Sequence, residues 1–126
     1  MKRRVLIVED EVIVADDLQW KLQQIGHEII GTAISGPEAL SLATQHRPDV
    51  VIMDIQLQGA MNGIEAAQRI QEECGAAVIF VTAFAAMFAR QPRTMLPSTG
   101  CLSKPFSTVE LKTALESTIA YGPKTE

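Results

Sequence analysis

The sequence predicts an α/β domain built on an open, doubly wound sheet of five parallel strands. Three short apolar runs show no alternation of apolar and polar residues, which is the pattern of strands covered by helices on both faces. Segments with helical periodicity separate these runs, so that strand and helix patterns alternate five times along the chain. The three runs are VLIV at 5–8, VVIM at 50–53 and AAVIFV at 76–81.

Two shorter segments, at 27–33 and 100–103, complete the set of strands and suit the edges of the sheet. For five strands we expect the flavodoxin-like order 2-1-3-4-5, in which strands 1 and 3 are neighbours. Ligands of such sheets bind at the carboxyl ends of the strands. The sequence therefore predicts a functional site at that edge.

Helix-start signals precede three of the predicted helices. In each, a Ser or Asn that can accept a backbone N–H is followed three residues later by Glu, the second half of a capping box. The signal that begins with Asn is the weaker version. The pairs are Ser35 with Glu38, Asn62 with Glu65 and Ser107 with Glu110.

The helix that should follow the fourth strand is an exception. Pro92 and Pro97 interrupt the segment 84–100, and Gly100 adds backbone freedom. We therefore expect a short or irregular helix there, limited to about 84–91.

Composition indicates one soluble domain. The chain has 126 residues, 47% of them hydrophobic and 21% charged, and no apolar stretch approaches the ~18 residues that a membrane span requires. A net charge of −4 without a clustered basic face argues against nucleic acid as a partner. Cys74 and Cys101 fit neither a disulfide framework nor a metal site. We expect a cytoplasmic domain over 1–121, and a tail or the start of a linker at 122–126.

Acidic residues follow two strands that should be neighbours. Glu9 and Asp10 come directly after the first strand, and Asp54 ends the third. Two unit charges ~4 Å apart repel by ~1 kcal/mol in water and by ~4 kcal/mol at an effective dielectric constant of about 20. Three converging carboxylates therefore require a cation. Mg²⁺, which prefers oxygen ligands, is the ion that these residues favour.

Thr82 and Lys104 end the fourth and fifth strands at the same edge. Acids, a metal ion, a hydroxyl group and an ammonium around one point suit a phosphoryl group, with an aspartate attacking phosphorus. Each residue alone has a plainer interpretation, because acids stabilise helix starts, Asp is common in turns and Lys is usually solvated. Four strand ends that each supply what one reaction needs favour the phosphoryl site.

Five pieces of the sequence match a known pattern: VLIVEDE, PDVVIMDIQL, NGIEAA, VIFVTAFA and LSKPF. Through them the chain resembles, over essentially its full length, the receiver domain of bacterial two-component response regulators. The resemblance implies that Asp54 accepts a phosphoryl group from a histidine kinase or a phosphotransfer protein, and that the domain is a switch and not an enzyme. It also implies roles for the other residues: Asp10, Asp54 and the Gln56 backbone carbonyl as Mg²⁺ ligands, Glu9 acting largely through water, and Thr82 and Lys104 binding phosphoryl oxygens.

Three features depart from the common pattern of that family. Cys101 stands where Tyr or Phe is usual as part of the switch, Asn62 stands where Asp is typical, and the loop after Asp54 lacks the usual proline and is one residue longer. Because Cys101 has no ring, we expect the segment 84–100 to be the moving part of a partner-binding surface around 84–106. The output partner, a downstream protein or a fused output domain, stays open.

Two alternatives differ in function. One is a pseudo-receiver, a protein-interaction module not controlled by phosphorylation. A missing acceptor, acid pair or lysine would favour it, and all are present. The other is a flavin- or nucleotide-binding module, which needs backbone donors from small residues after the first strand. The residues EDEV at 9–12 offer carboxylates there instead.

Overall fold

The computed structural model describes residues 2–55, 57, 61–83 and 99–120, which contain five strands and four helices. The strands are β1 (Arg4–Val8), β2 (Glu28–Ala33), β3 (Val50–Asp54), β4 (Ala77–Thr82) and β5 (Thr99–Ser103). The helices are α1 (Val12–Gln24), α2 (Gly36–His46), α3 (Gly63–Cys74) and α4 (Thr108–Ala120). The helix expected around 84–91 and the tail expected at 122–126 lie outside the described residues. Across the described ranges, no helix has both the length and the apolar character needed to cross a membrane.

The five strands form one parallel sheet in the predicted order, β2-β1-β3-β4-β5. Val8 pairs with Met53 in the register of β1 and β3, and Thr82 pairs with Ser103 in the register of β4 and β5. The residues at the carboxyl ends of these four strands therefore meet at one edge. The flavodoxin-like, doubly wound fold class is confirmed.

Helices cover both faces of the sheet. Every residue of β3 and β4 is buried, which explains why their sequences show no alternation. Full burial of one Val, Leu or Ile side chain contributes about 1.5–3 kcal/mol to the stability of the fold. The central strands are therefore strongly stabilised, and they hold the residues at their ends in defined positions. One face packs against α2 and α3 through Ala39, Ala43, Ala66 and Ile70, and the other against α1 and α4 through Leu18, Leu22, Leu111 and Leu115.

Two of the predicted capping boxes are complete. The Asn62 side chain accepts the N–H of Glu65 at 2.9 Å, and the Glu65 carboxylate accepts the N–H of Asn62. Ser107 and Glu110 exchange the same two hydrogen bonds ahead of α4. The Asn62 signal is weaker in sequence, but its box is complete, and it fixes the start of α3 close to the end of β3.

The third box differs from the prediction. Ser35 accepts the N–H of Glu38 at 3.3 Å, as expected. The Glu38 carboxylate, however, accepts the N–H of Ile34 at 2.8 Å and not that of Ser35. Which of two adjacent N–H groups a flexible Glu side chain reaches depends on its torsion angles, and residue spacing does not determine those.

Candidate functional site

Three carboxylates meet where β1 and β3 end. Glu9 and Asp10 follow β1 directly, and Asp54 is the last residue of β3. One carboxylate oxygen from each of these residues can be chosen so that all three lie within 4.8 Å of one another. The predicted convergence of the acids is therefore present, and it follows from the pairing of β1 with β3.

Two of these carboxylates are buried. Glu9 is 2% exposed and Asp54 is 5% exposed, whereas Asp10 is half-buried. Carboxylates withdrawn from water need hydrogen bonds or cations to offset the lost hydration. The Glu9 carboxylate accepts the N–H of Glu11 at 3.2 Å, so it folds back over the start of α1 instead of pointing into solvent.

Lys104 supplies the cation. Its ammonium donates a hydrogen bond to Glu9 at 3.0 Å and lies 3.7 Å from the nearer oxygen of Asp54, while 22% of its side chain is exposed. The backbone N–H of Lys104 donates to the carbonyl oxygen of Thr82 at 2.9 Å, which ties the residue to the end of β4. One ammonium thus serves two buried acids.

The environment shifts the pKa values of this ion pair. Burial raises the pKa of Glu9 to about 7, against the opposing hydrogen bond from Lys104. Burial alone would lower the pKa of the Lys104 ammonium, but the hydrogen bond to Glu9 and the charge of Asp54 outweigh it and raise that pKa above 10.5. The lysine therefore stays charged at neutral pH, and the desolvated Glu9 holds its own charge less firmly.

Thr82 lies at the same edge. It is the last residue of β4 and is 2% exposed. Its predecessor Val81 pairs with Asp54 in the sheet, and the Val81 carbonyl oxygen accepts the N–H of Ile55 at 3.3 Å. The structure thus gathers Glu9, Asp10, Asp54, Thr82 and Lys104 at one end of the sheet. Gln56, predicted as a metal ligand through its carbonyl, lies outside the described residues.

Gly63 was not among the predicted site residues, although it touches the main chain of Asp54. A Cβ at Gly63 would overlap the carbonyl oxygen of Asp54 and lie 2.9 Å from the Cα of Ile55. The N–H of Gly63 donates to the carbonyl oxygen of Ile55 at 3.2 Å and closes the loop after β3. The sequence signal that could have identified this residue was a glycine directly after the helix-start residue Asn62.

The donor set fits a hard divalent cation. Glu9, Asp10 and Asp54 offer only oxygen ligands, which is the chemistry that Mg²⁺ prefers. With every group in its usual charge state, three carboxylates and one ammonium leave two negative charges (3 − 1 = 2), equal in size to the charge of one such ion.

Known proteins are similar to this chain in sequence and in fold. Residues 5–116 match the family model of the response regulator receiver domain. The chain is 38% identical over 118 residues to the transcriptional regulatory protein PdtaR of Mycobacterium tuberculosis strain CDC 1551, covering 94% of this chain and 57% of PdtaR. It is 30% identical over 123 residues to the phyllosphere-induced regulator PhyR of Methylorubrum extorquens, covering 96% of this chain and 45% of PhyR.

A solved structure agrees with these sequence matches. The signal receiver domain of a modulated diguanylate cyclase from Desulfovibrio desulfuricans G20 superposes with a TM-score of 0.84 at 33% identity, covering 95% of each chain. The chain spans about half the length of the two regulators that it matches. On this evidence the chain belongs to the response regulator receiver domain family.

Proposed function

We propose that Asp54 accepts a phosphoryl group from a phosphohistidine of a histidine kinase or a phosphotransfer protein. The observation that carries this proposal is the position of its carboxylate, 5% exposed at the end of β3 and 3.7 Å from the ammonium of Lys104. Glu9 and Asp10 bring further carboxylate oxygens within 4.8 Å of it. A nucleophile, a cation and additional oxygen ligands at one point match the needs of phosphoryl transfer.

In the proposed step a carboxylate oxygen of Asp54 attacks phosphorus. A new P–O bond forms while the P–N bond to the histidine breaks, and the imidazole nitrogen leaves with the electron pair and takes a proton from solvent. Lys104 has three N–H donors, so it can keep its hydrogen bond to Glu9 while another donor binds a phosphoryl oxygen. Thr82, at the neighbouring strand end, is proposed to bind a second one.

Glu9, Asp10 and Asp54 are the residues that would hold Mg²⁺, with Glu9 acting largely through water and the Gln56 carbonyl, outside the described residues, as a further ligand. When bound, the ion would neutralise charge on the phosphoryl oxygens. The protein's own part is to keep the three carboxylates close together before the ion arrives, which the pairing of β1 with β3 achieves.

Phosphorylation would then switch a partner-binding surface around residues 84–106, of which 99–106 are described. Cys101, in the middle of β5, is half-buried and packs against the core beneath α2 and α3. We infer that the domain acts as a cytoplasmic switch and is not itself an enzyme. Its output belongs to a downstream protein or to a fused output domain.

The test is phosphorylation by acetyl phosphate, a small phosphodonor, followed by measurement of the intact mass. Wild type should gain the mass of one phosphoryl group, and Asp54→Asn should gain none. Asp49→Asn is the matched control, because Asp49 is exposed and binds the N–H of Arg4 at the opposite end of the sheet. A fully phosphorylated Asp54→Asn protein would refute the proposal, and an unmodified wild type would favour the pseudo-receiver.

A further inference from the structure

Lys21 connects α1 to the segment that follows Lys104. It lies in the last turn of α1, and only 19% of its side chain is exposed. Its ammonium donates a hydrogen bond to the backbone carbonyl oxygen of Phe106 at 3.0 Å, across 85 positions of sequence. The same ammonium lies 2.8 Å from the carboxylate of Asp17 and 5.0 Å from the centroid of the Phe106 ring.

Phe106 is a firm attachment point for this contact. It is 9% exposed and belongs to the core cluster formed by α1, α4 and one face of the sheet. It follows Lys104 by two residues, and the N–H of Lys104 is bonded to Thr82 at the end of β4. Residues 104–106 are therefore held at one end by the sheet and at the other by Lys21.

The position of Lys104 is critical at this site. Its ammonium lies 3.0 Å from Glu9 and 3.7 Å from Asp54, so a displacement of less than 1 Å is enough to change which acid is nearer. A misplacement of about 1 Å at a reacting centre can reduce a rate by about a hundredfold. Whatever fixes the backbone next to Lys104 therefore matters to phosphoryl transfer.

We infer that Lys21 is a positioning residue for Lys104, and that it acts by fixing the Phe106 main chain against α1. The inference rests on the proposed phosphoryl transfer to Asp54. Among the described residues, the recorded contacts of the Lys21 ammonium are with Asp17 and Phe106, and not with the carboxylates at the proposed phosphorylation site. Its effect on the reaction should accordingly pass through Lys104.

The test compares variants of the full chain in phosphorylation by acetyl phosphate at saturating Mg²⁺. Lys21→Met keeps the length of the side chain and removes the ammonium, whereas Lys21→Arg keeps donors that can reach the Phe106 carbonyl. Lys112→Met is the matched control, since Lys112 is exposed on α4. Mg²⁺ binding is measured by calorimetry, and the backbone amide of Lys104 is followed in ¹H–¹⁵N spectra.

Lys21→Met should lower the maximal rate about five- to tenfold, which matches the net contribution of one typical hydrogen bond, while Mg²⁺ affinity stays unchanged. Lys21→Arg should recover most of that rate, and Lys112→Met should equal wild type. In a Lys104→Met background, Lys21→Met should cause no further loss, because the residue it positions is already gone. A variant that only destabilised the fold would not show unchanged Mg²⁺ affinity, recovery by Lys21→Arg and no further loss in the Lys104→Met background.

The inference is wrong if Lys21→Met matches the wild-type rate, or if it slows the Lys104→Met protein by the same factor. If wild type is not phosphorylated, the proposed function is contradicted, and the positioning role of Lys21 is then tested by the backbone amide signal of Lys104 alone. An amide signal that does not move in Lys21→Met refutes the positioning role.

If Lys21→Met fails to fold, Asp17→Asn replaces it, since Asp17 is 54% exposed. That variant should show a smaller slowing and a shifted Lys104 amide, and the absence of both refutes the inference.

Discussion

The ammonium of Lys104 donates a hydrogen bond to the buried carboxylate of Glu9 at 3.0 Å, although 95 positions separate the two residues. The pair joins the ends of β1 and β5, on either side of the strand end that carries Asp54. It offsets part of the acidic charge at this edge and keeps the lysine within 3.7 Å of the proposed phosphoacceptor.

Removing the lysine should destabilise the fold. Lys104→Met leaves the Glu9 carboxylate buried without its cation, and a buried polar group that loses its partner costs about 1–3 kcal/mol. Urea denaturation should show a loss of free energy of unfolding in this range, and a smaller loss when Glu9→Gln is already present. A Lys104→Met protein as stable as wild type would show that this ion pair contributes nothing to the fold.

Removing the proposed acceptor should have the opposite effect on the metal-free protein. Asp54→Asn takes one of three clustered negative charges away, so its melting temperature without Mg²⁺ should lie above that of wild type. Saturating Mg²⁺ should narrow the gap, since an ion at a hundredfold excess over its dissociation constant adds about 2.7 kcal/mol to the protein that binds it. A lower melting temperature for metal-free Asp54→Asn would mean that hydrogen bonds already satisfy this carboxylate.

A methyl group at Gly63 should disturb the acceptor directly. Gly63→Ala forces the new Cβ against the backbone of Asp54 and Ile55. Overpacking of this kind typically lowers the free energy of unfolding by about 1–3 kcal/mol, and we expect a loss in that range. Gly31→Ala is the control, because a Cβ there would meet Leu42 and Leu6 at an ordinary 3.7 Å. The melting temperature, measured by thermal denaturation, and the phosphorylation rate should both fall for Gly63→Ala and not for Gly31→Ala. Equal behaviour of the two variants would contradict the proposed contact.

His27 should make stability depend on pH. Its Nδ1 accepts the N–H of Arg3 at 3.0 Å, which requires that nitrogen to be unprotonated. Burial, together with the charge of Arg3, lowers the pKa of His27 below its ordinary value of 6.5. The unfolded chain therefore takes up a proton more readily than the folded one. The resulting stabilisation is present above pH 6.5 and is lost as the pH falls through the lower folded pKa.

Asparagine at position 27 distinguishes the effect of protonation from the effect of the hydrogen bond. The His27→Asn side chain keeps an oxygen that can accept the N–H of Arg3, but it does not titrate. Between about pH 8 and about pH 5 its melting temperature should fall less than that of wild type. An identical fall in both proteins would show that His27 does not carry the pH dependence.

The edge of the sheet that holds the site could be predicted from the sequence. Unbroken apolar runs mark the strands that lead to Glu9, Asp54 and Thr82, and a shorter strand segment leads to Lys104. Parallel pairing then places the ends of such strands together, whatever the side chains do. The capping pair of Asn62 and Glu65 was also readable, since a cap depends on spacing within one turn.

Contacts between side chains far apart in sequence could not be predicted in this way. The bond between Lys104 and Glu9 and the bond between Lys21 and Phe106 depend on torsion angles of long side chains, which neither spacing nor periodicity determines. The tight approach of Gly63 to Asp54 likewise depends on the path of the loop that precedes α3.

The central claim, that Asp54 is the phosphoacceptor, is tested most directly by locating the modified residue. The protein is treated with acetyl phosphate and Mg²⁺ and then with sodium borohydride, which reduces an aspartyl phosphate to homoserine, and its peptides are sequenced by mass spectrometry. We predict homoserine at position 54 alone, and none when EDTA is present in excess. Homoserine at another position, or equal labelling of position 54 in EDTA, would contradict the proposed site.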